Sequence, residues 1–144
     1  MSTLDVKTIK QALKDAGVEI YRSRPDEVQI AERIRLHIMD SGVRVVLAEG
    51  SPRVRFTARS QRSDFPNADG DALFARVRER VGAPAQERGY TEHGAQVHEV
   101  KDPVDEAKTL DVWHEVVYEK AAEDVGALVD EVRWAVELEK YVAD

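Results

Sequence analysis

Arginine stands at positions 53, 55, 59 and 62 in the stretch RVRFTARSQR, with Phe56 and small polar residues between. A strand of this kind can grip a phosphate backbone, dock an acidic protein segment, or be the wet face of an ordinary sheet. The alternation decides the order of these readings. Arg53, Arg55, Thr57 and Arg59 fall on one side of an extended chain, and Val54, Phe56 and Ala58 on the other. That is the pattern of a half-buried antiparallel strand with a solvated outer face. Docking of an acidic protein segment comes second. Nucleic acid comes last, because the one aromatic residue, Phe56, points to the core and leaves no stacking platform beside the charges.

Other chemistry-bearing residues are scattered. His37, His93, His98 and His114 show no pair at the helical spacing of a zinc peptidase, so the sequence nominates no metal ligand. The chain has no cysteine, which excludes disulfides, thiolate nucleophiles and Cys-based metal sites. Ser51, Ser60 and Ser63 lack the flanking residues of a nucleophile elbow, and no glycine run cradles a phosphate. Acidic residues are abundant, yet none forms a recognisable catalytic dyad. The reading is of a non-enzyme with no catalytic residue, no cofactor and no metal.

The remaining composition sets bounds. A chain of 144 residues, 42% hydrophobic and 34% charged, suits a single domain over 1–144 with one core. No run of 18 apolar residues offers direct membrane insertion, and MSTLDVKTIK lacks a secretion signal, so a cytoplasmic location is expected. The net charge is -7. Residues 1–90 hold 16 Lys+Arg against 13 Asp+Glu, net +3; residues 91–144 hold 5 against 15, net -10. Such a split fits a basic sheet face packed near an acidic helix, or a polarised surface that steers a charged protein partner.

The elements follow from periodicity and punctuation. Val6, Ile9, Leu13 and Ala16 mark an amphipathic helix with Ser2 and Thr3 as available N-caps and Gly17 as its stop. VEIYRS, 18–23, reads as a short strand. In VQIAERIRLHIM, 28–39, the alternation of Ile34, Leu36 and Ile38 favours one continuous strand with a bulge near 31–33 that turns Glu32 outward. MDSGVR reads as a hairpin turn using the positive φ open to Gly42. VRVVLAE and RVRFTARS then complete a meander through a turn at EGSP. Leu73, Phe74, Val77 and Val81 give a second helix after the PNADGD loop, ended by Gly82 and Pro84. Strands are expected at 95–100, with Val97 and Val100, and at 109–118, with Leu110, Val112, Val116 and Tyr118, joined by DPVDEAK. The longest helix is expected over about 123–142. On it Trp134, Leu138 and Tyr141 form a line offset from the valine stripe, and either cover a broad sheet or form a homodimer seam or partner groove. Trp113, on the face of its strand opposite Leu110 and Val112, poses the same choice. The fold class is therefore α+β: an antiparallel sheet of about five strands with helices on one side, in the order α-β-β-β(-β)-α-β-β-α.

That layout, from LDVKTIKQALKDAGVEIY through the meander to DVGALVDEVRWAVELEKYV, resembles the YbjN-like family and the type III secretion chaperone-like fold. The resemblance covers nearly the whole chain and rests on topology, size, acidity and the "helix, Gly, short strand" opening. It implies a homodimeric, non-enzymatic, chaperone-like binding protein of the sensory-transduction-regulator kind, acting with a two-component-system histidine kinase. Trp134, Leu138, Tyr141 and Trp113 are then the candidate protein interface, and Arg53, Arg55 and Arg59 the candidate charged partner face. The alternatives are an escort chaperone for a secreted or aggregation-prone client, and an unrecognised hydrolase or small-ligand enzyme.

Overall fold

The computed structural model describes residues 5–48 and 51–142. Its elements are α1 (Val6–Asp15), β1 (Ile20–Arg24), β2 (Glu27–Ile34), β3 (His37–Ala48), β4 (Ser51–Gln61), α2 (Gly70–Val77), α3 (Ala83–Glu87), β5 (Thr91–Lys101), β6 (Thr109–Ala121), α4 (Val125–Glu137) and β7 (Tyr141–Val142). The class is α+β. The seven strands form one sheet in the order β1-β2-β3-β4-β6-β5, with β7 added beside β4. Pairings β1/β2, β2/β3 and β3/β4 are antiparallel, while β7 lies parallel to β4.

Helix ends are set by short acidic caps. Asp5 accepts from the Thr8 amide at 2.8 Å, Asp69 from Ala72 at 2.8 Å, and Asp124 from Gly126 at 2.7 Å. The expected caps Ser2 and Thr3 lie outside the described residues. Gly17 ends α1 with φ +80, and the Val18 amide returns to the Leu13 carbonyl at 2.9 Å.

Contacts divide the chain into two compact units, one from residues up to Phe56 plus Glu119–Leu138, the other Thr57–Tyr118 plus residues from Glu139 onward. In the first, α1 packs on α4, β1 and β2, and α4 packs on β3. Ile9, Leu13, Val28, Ile30, Val43, Val45, Val54, Phe56, Leu128 and Val132 are fully buried there. In the second, Leu73, Val77, Ala85, Val116 and Tyr118 are fully buried, and Ser60 donates to the Leu73 carbonyl at 2.9 Å.

Three sequence expectations are corrected. VQIAERIRLHIM is not one strand: Arg35 takes φ +57, and Ile34 pairs with His37 across a two-residue turn. A tight hairpin there carries Arg-Leu instead of the usual Asn-Gly, so its signal was weak. Ile34, Leu36 and Ile38 consequently stand in solvent, Leu36 at 90% exposure. The register shift lies at Gln29/Ala31, not at 31–33. MDSGVR, second, runs inside β3; Gly42 does adopt φ +80, but in a bulge where its amide donates to Asp40 and Ser41 donates to the Ile30 carbonyl. The EGSP turn includes residues 49 and 50, outside the described residues. Third, α4 stops at Glu137. Leu138 is already extended, at φ -64 and ψ 133, and the Arg59 amide takes the Lys140 carbonyl as β7 joins β4. A tertiary ladder thus overrides a helical pattern that continued to 142.

Between α2 and α3 the chain widens into one π-helical turn, Arg78–Gly82. Pro84, lacking an amide proton, cannot complete the ordinary ladder. The widened turn brings Gly82 onto the Tyr118 hydroxyl, so an added Cβ would overlap it and stand 3.2 Å from Cζ. Gly82→Ala should therefore lower stability by about 1–3 kcal/mol, measured by urea denaturation. Adding Tyr118→Phe should recover part of that loss, and strict additivity of the two would show that the clash is relieved elsewhere.

Candidate functional site

β4 has the alternation read from its sequence. Val54, Phe56, Ala58 and Ser60 are fully buried on one face, and Arg53, Arg55 and Arg59 are partly exposed on the other. The arginines are not merely solvated, however. Arg53 Nη1 and Arg55 Nη2 approach the two oxygens of Glu119 at 2.6 and 2.5 Å, and Glu119 is only 4% exposed. A carboxylate so withdrawn from water is costly unless paired, and two guanidinium groups supply the pairing. The acidic partner is thus a strand residue, where sequence reasoning looked to a helix. Next to them on β3, which pairs Arg44 with Arg55, Arg44 meets Glu27 at 3.3 Å and Asp40 at 3.5 Å. Gln29, itself buried, donates to Glu27 at 3.2 Å. Burial works against the Glu27 carboxylate, but Gln29 and Arg44 hold it below its usual range.

Arg59 belongs to a different cluster. Its guanidinium lies 3.9 Å from the Trp113 ring centroid and 5.4 Å from that of Tyr141, and the Tyr141 hydroxyl donates to Asp64. Asp111 accepts from the Ser63 hydroxyl at 2.8 Å and from Trp113 Nε1 at 3.3 Å. Burial opposes its charge, yet these bonds keep Asp111 below the usual carboxylate range. The Asp64 bond raises Tyr141. These groups form a stacked, hydrogen-bonded structural network.

Of the candidate interface, Trp134 rests edge-on against Phe56 at 6.2 Å, Leu138 caps α4, and Tyr141 sits in β7. The three therefore do not lie along one helix, because α4 ends at Glu137 and Tyr141 belongs to β7. Trp113 is half-buried beneath Arg59, 5.5 Å from His98. His37 opens β3, while His93 and His98 lie on β5. No group of three or more metal-binding side chains assembles among the described residues.

A cavity of about 480 Å³ opens in the first unit, between Gly17, Val18, Ala31 and α4. Its cations are engaged: Arg33 pairs with Glu19 at 2.8 Å, and Arg133 donates to the Ala16 carbonyl. Glu32 and Glu137 also line it, and no histidine is among its lining residues.

What sequence reasoning missed is exposed apolar surface. Ile34, Leu36, Ile38 and Met39 stand at the β2/β3 tip; Val97 and Leu110 stand out on β5 and β6, and Val104 in the connection between them. In TEHGAQVHEVK, polar residues on both faces were the available signal for a strand wet on both sides. Val116 and Tyr118 are core as expected, but Leu110 is 51% exposed.

Comparisons of the chain with protein-family models, curated proteins and solved structures gave no match in any of the three. None of the three therefore bears on the YbjN-like resemblance, which rests on topology, size, acidity and the opening helix, Gly and short strand.

Two outcomes follow. Arg55→Glu places a second carboxylate against buried Glu119 and should destabilise the fold by about 2–4 kcal/mol in denaturant titration; a neutral result would mean that Glu119 reaches water. His114 is 3% exposed, its Nδ1 has no hydrogen-bond partner, and its ring is edge-on to Phe74 at 4.9 Å. Burial, then the Arg62 charge, lowers its pKa below 6.5. The unfolded chain therefore takes up this proton first as pH falls. Stability should decline below pH 6.5 by up to about 1.4 kcal/mol per pH unit, and His114→Phe should flatten that part of the curve.

Proposed function

We propose that this chain is a protein-binding adaptor that acts without chemistry and works as a homodimer. The observation that carries the reading is the division of its surface. The polar groups able to do chemistry are turned on one another, Arg53 and Arg55 onto Glu119 and Arg59 onto Trp113. Apart from Tyr21 on β1, the large apolar groups left in water lie at the β2/β3 tip and around the β5/β6 hairpin. Grouped apolar side chains in water are the usual mark of a surface that another protein covers.

A histidine kinase of a two-component system is the partner that the YbjN-like resemblance suggests, and it belongs to this proposal. The arginine face orients the sheet's own carboxylate, so affinity comes mainly from apolar contact. Capture of the partner from native extract should then survive high salt, contrary to a mechanism led by the arginines. Leu36→Asp should reduce capture at least tenfold while leaving the circular dichroism spectrum native. Capture that Leu36→Asp leaves unchanged and that salt abolishes would overturn the reading, and retention of unfolded clients alone would replace the adaptor with an escort chaperone.

A further inference from the structure

β5 ends the strand order, and among the described residues no strand pairs with its outer edge. Eleven residues long and without proline, it offers a row of backbone donors and acceptors. The opposite edge strand, β1, has five residues and carries Arg22 and Arg24, which would repel a copy of itself.

The faces of β5 can be assigned from its contacts. Gln96 Nε2 donates to Glu115 at 3.0 Å, and His98 lies beside Trp113, so the even positions of β5 share a face with the odd positions of β6. Ala95 and Val97 therefore share the face of Leu110, His114 and Val116. That face is covered at His114, where Phe74 of α2 lies against it, and open at Val97, 55% exposed, and at Leu110.

We infer that a second copy of this chain pairs its own β5 antiparallel to this edge, with Gln96 on the two-fold axis, which deepens the homodimer of the proposed adaptor and rests on that reading. A two-fold axis perpendicular to the sheet must set some residue opposite itself, because directly paired side chains share a face. With Gln96 there, Val97 lies opposite Ala95 of the second copy, and the apolar strip begun by Leu110 continues across the seam. Gly94 makes room opposite His98, and His93 meets Glu99 on both sides of the axis. No pair brings like charges together. Centring on Val97 sets His93 against Lys101, and centring on Ala95 sets Val97 against His93. Of these three registers, the one at Gln96 suits both charge and size.

The absence of native cysteine makes the test clean. Opposed Cα atoms in an antiparallel pair lie about 4.5–5.5 Å apart, within the span of a disulfide. Wild-type protein should show twice the monomer mass by light scattering. Gln96→Cys should cross-link under mild oxidation at least tenfold faster than Arg22→Cys, and Val97→Glu should halve the mass with an unchanged circular dichroism spectrum. A wild-type monomer, or Gln96→Cys no faster than Arg22→Cys, overturns the seam. Partner capture by such a monomer would keep the binding role and remove only the dimer, whereas a cross-linked dimer that captures nothing keeps the seam and removes the adaptor.

Discussion

The buried carboxylate of Glu119 is the constraint around which the outer face of the sheet is arranged. Bare, it would be among the least favourable groups in the protein. With Arg53 and Arg55 at 2.6 and 2.5 Å it becomes a tie between β4 and β6, which neighbour each other in the sheet. Because those arginines must face Glu119, the alternate residues Val54 and Phe56 must face the helices, and the register of β4 is fixed from both sides. A one-residue slip would bury guanidinium groups and strand the carboxylate.

This arrangement also explains how the charge imbalance between the two parts of the sequence is used. Basic residues of the meander meet acidic residues of the last part of the chain, through Glu119 with Arg53 and Arg55 and through Asp111 beside the Trp113 on which Arg59 stacks. Charges satisfied inside the fold are poor recruiters of a partner. In the adaptor proposed above, recruitment falls to the apolar groups at a hairpin tip and along an edge ribbon, where contact area and backbone pairing would supply affinity with little dependence on salt.

Much of the fold could be read from residue spacing. The alternation in RVRFTARS named both faces of β4, and the α+β class follows from the same kind of signal. Two devices are not local: one moves a turn from MDSGVR to Arg35-Leu36, and the other adds β7. The hairpin at Arg35-Leu36 uses a residue that tolerates positive φ only where the flanking strands enforce it, and its exposed isoleucines imitate a core strand. β7 exists because β4 offers an amide at Arg59 to the Lys140 carbonyl; nothing in ELEKYV announces it. The candidate site suffered likewise. The arginines were visible, but Glu119 lies 64 residues beyond Arg55, a distance no spacing rule bridges.

Amide hydrogen exchange on the chain alone and on its complex with a captured partner tests the central claim most directly, because it reads every strand at once. Binding through apolar ends predicts slower exchange at residues 32–39 or 95–112, with the Arg53–Arg59 segment unchanged. Protection confined to that arginine segment would contradict the account and return recognition to the charged face.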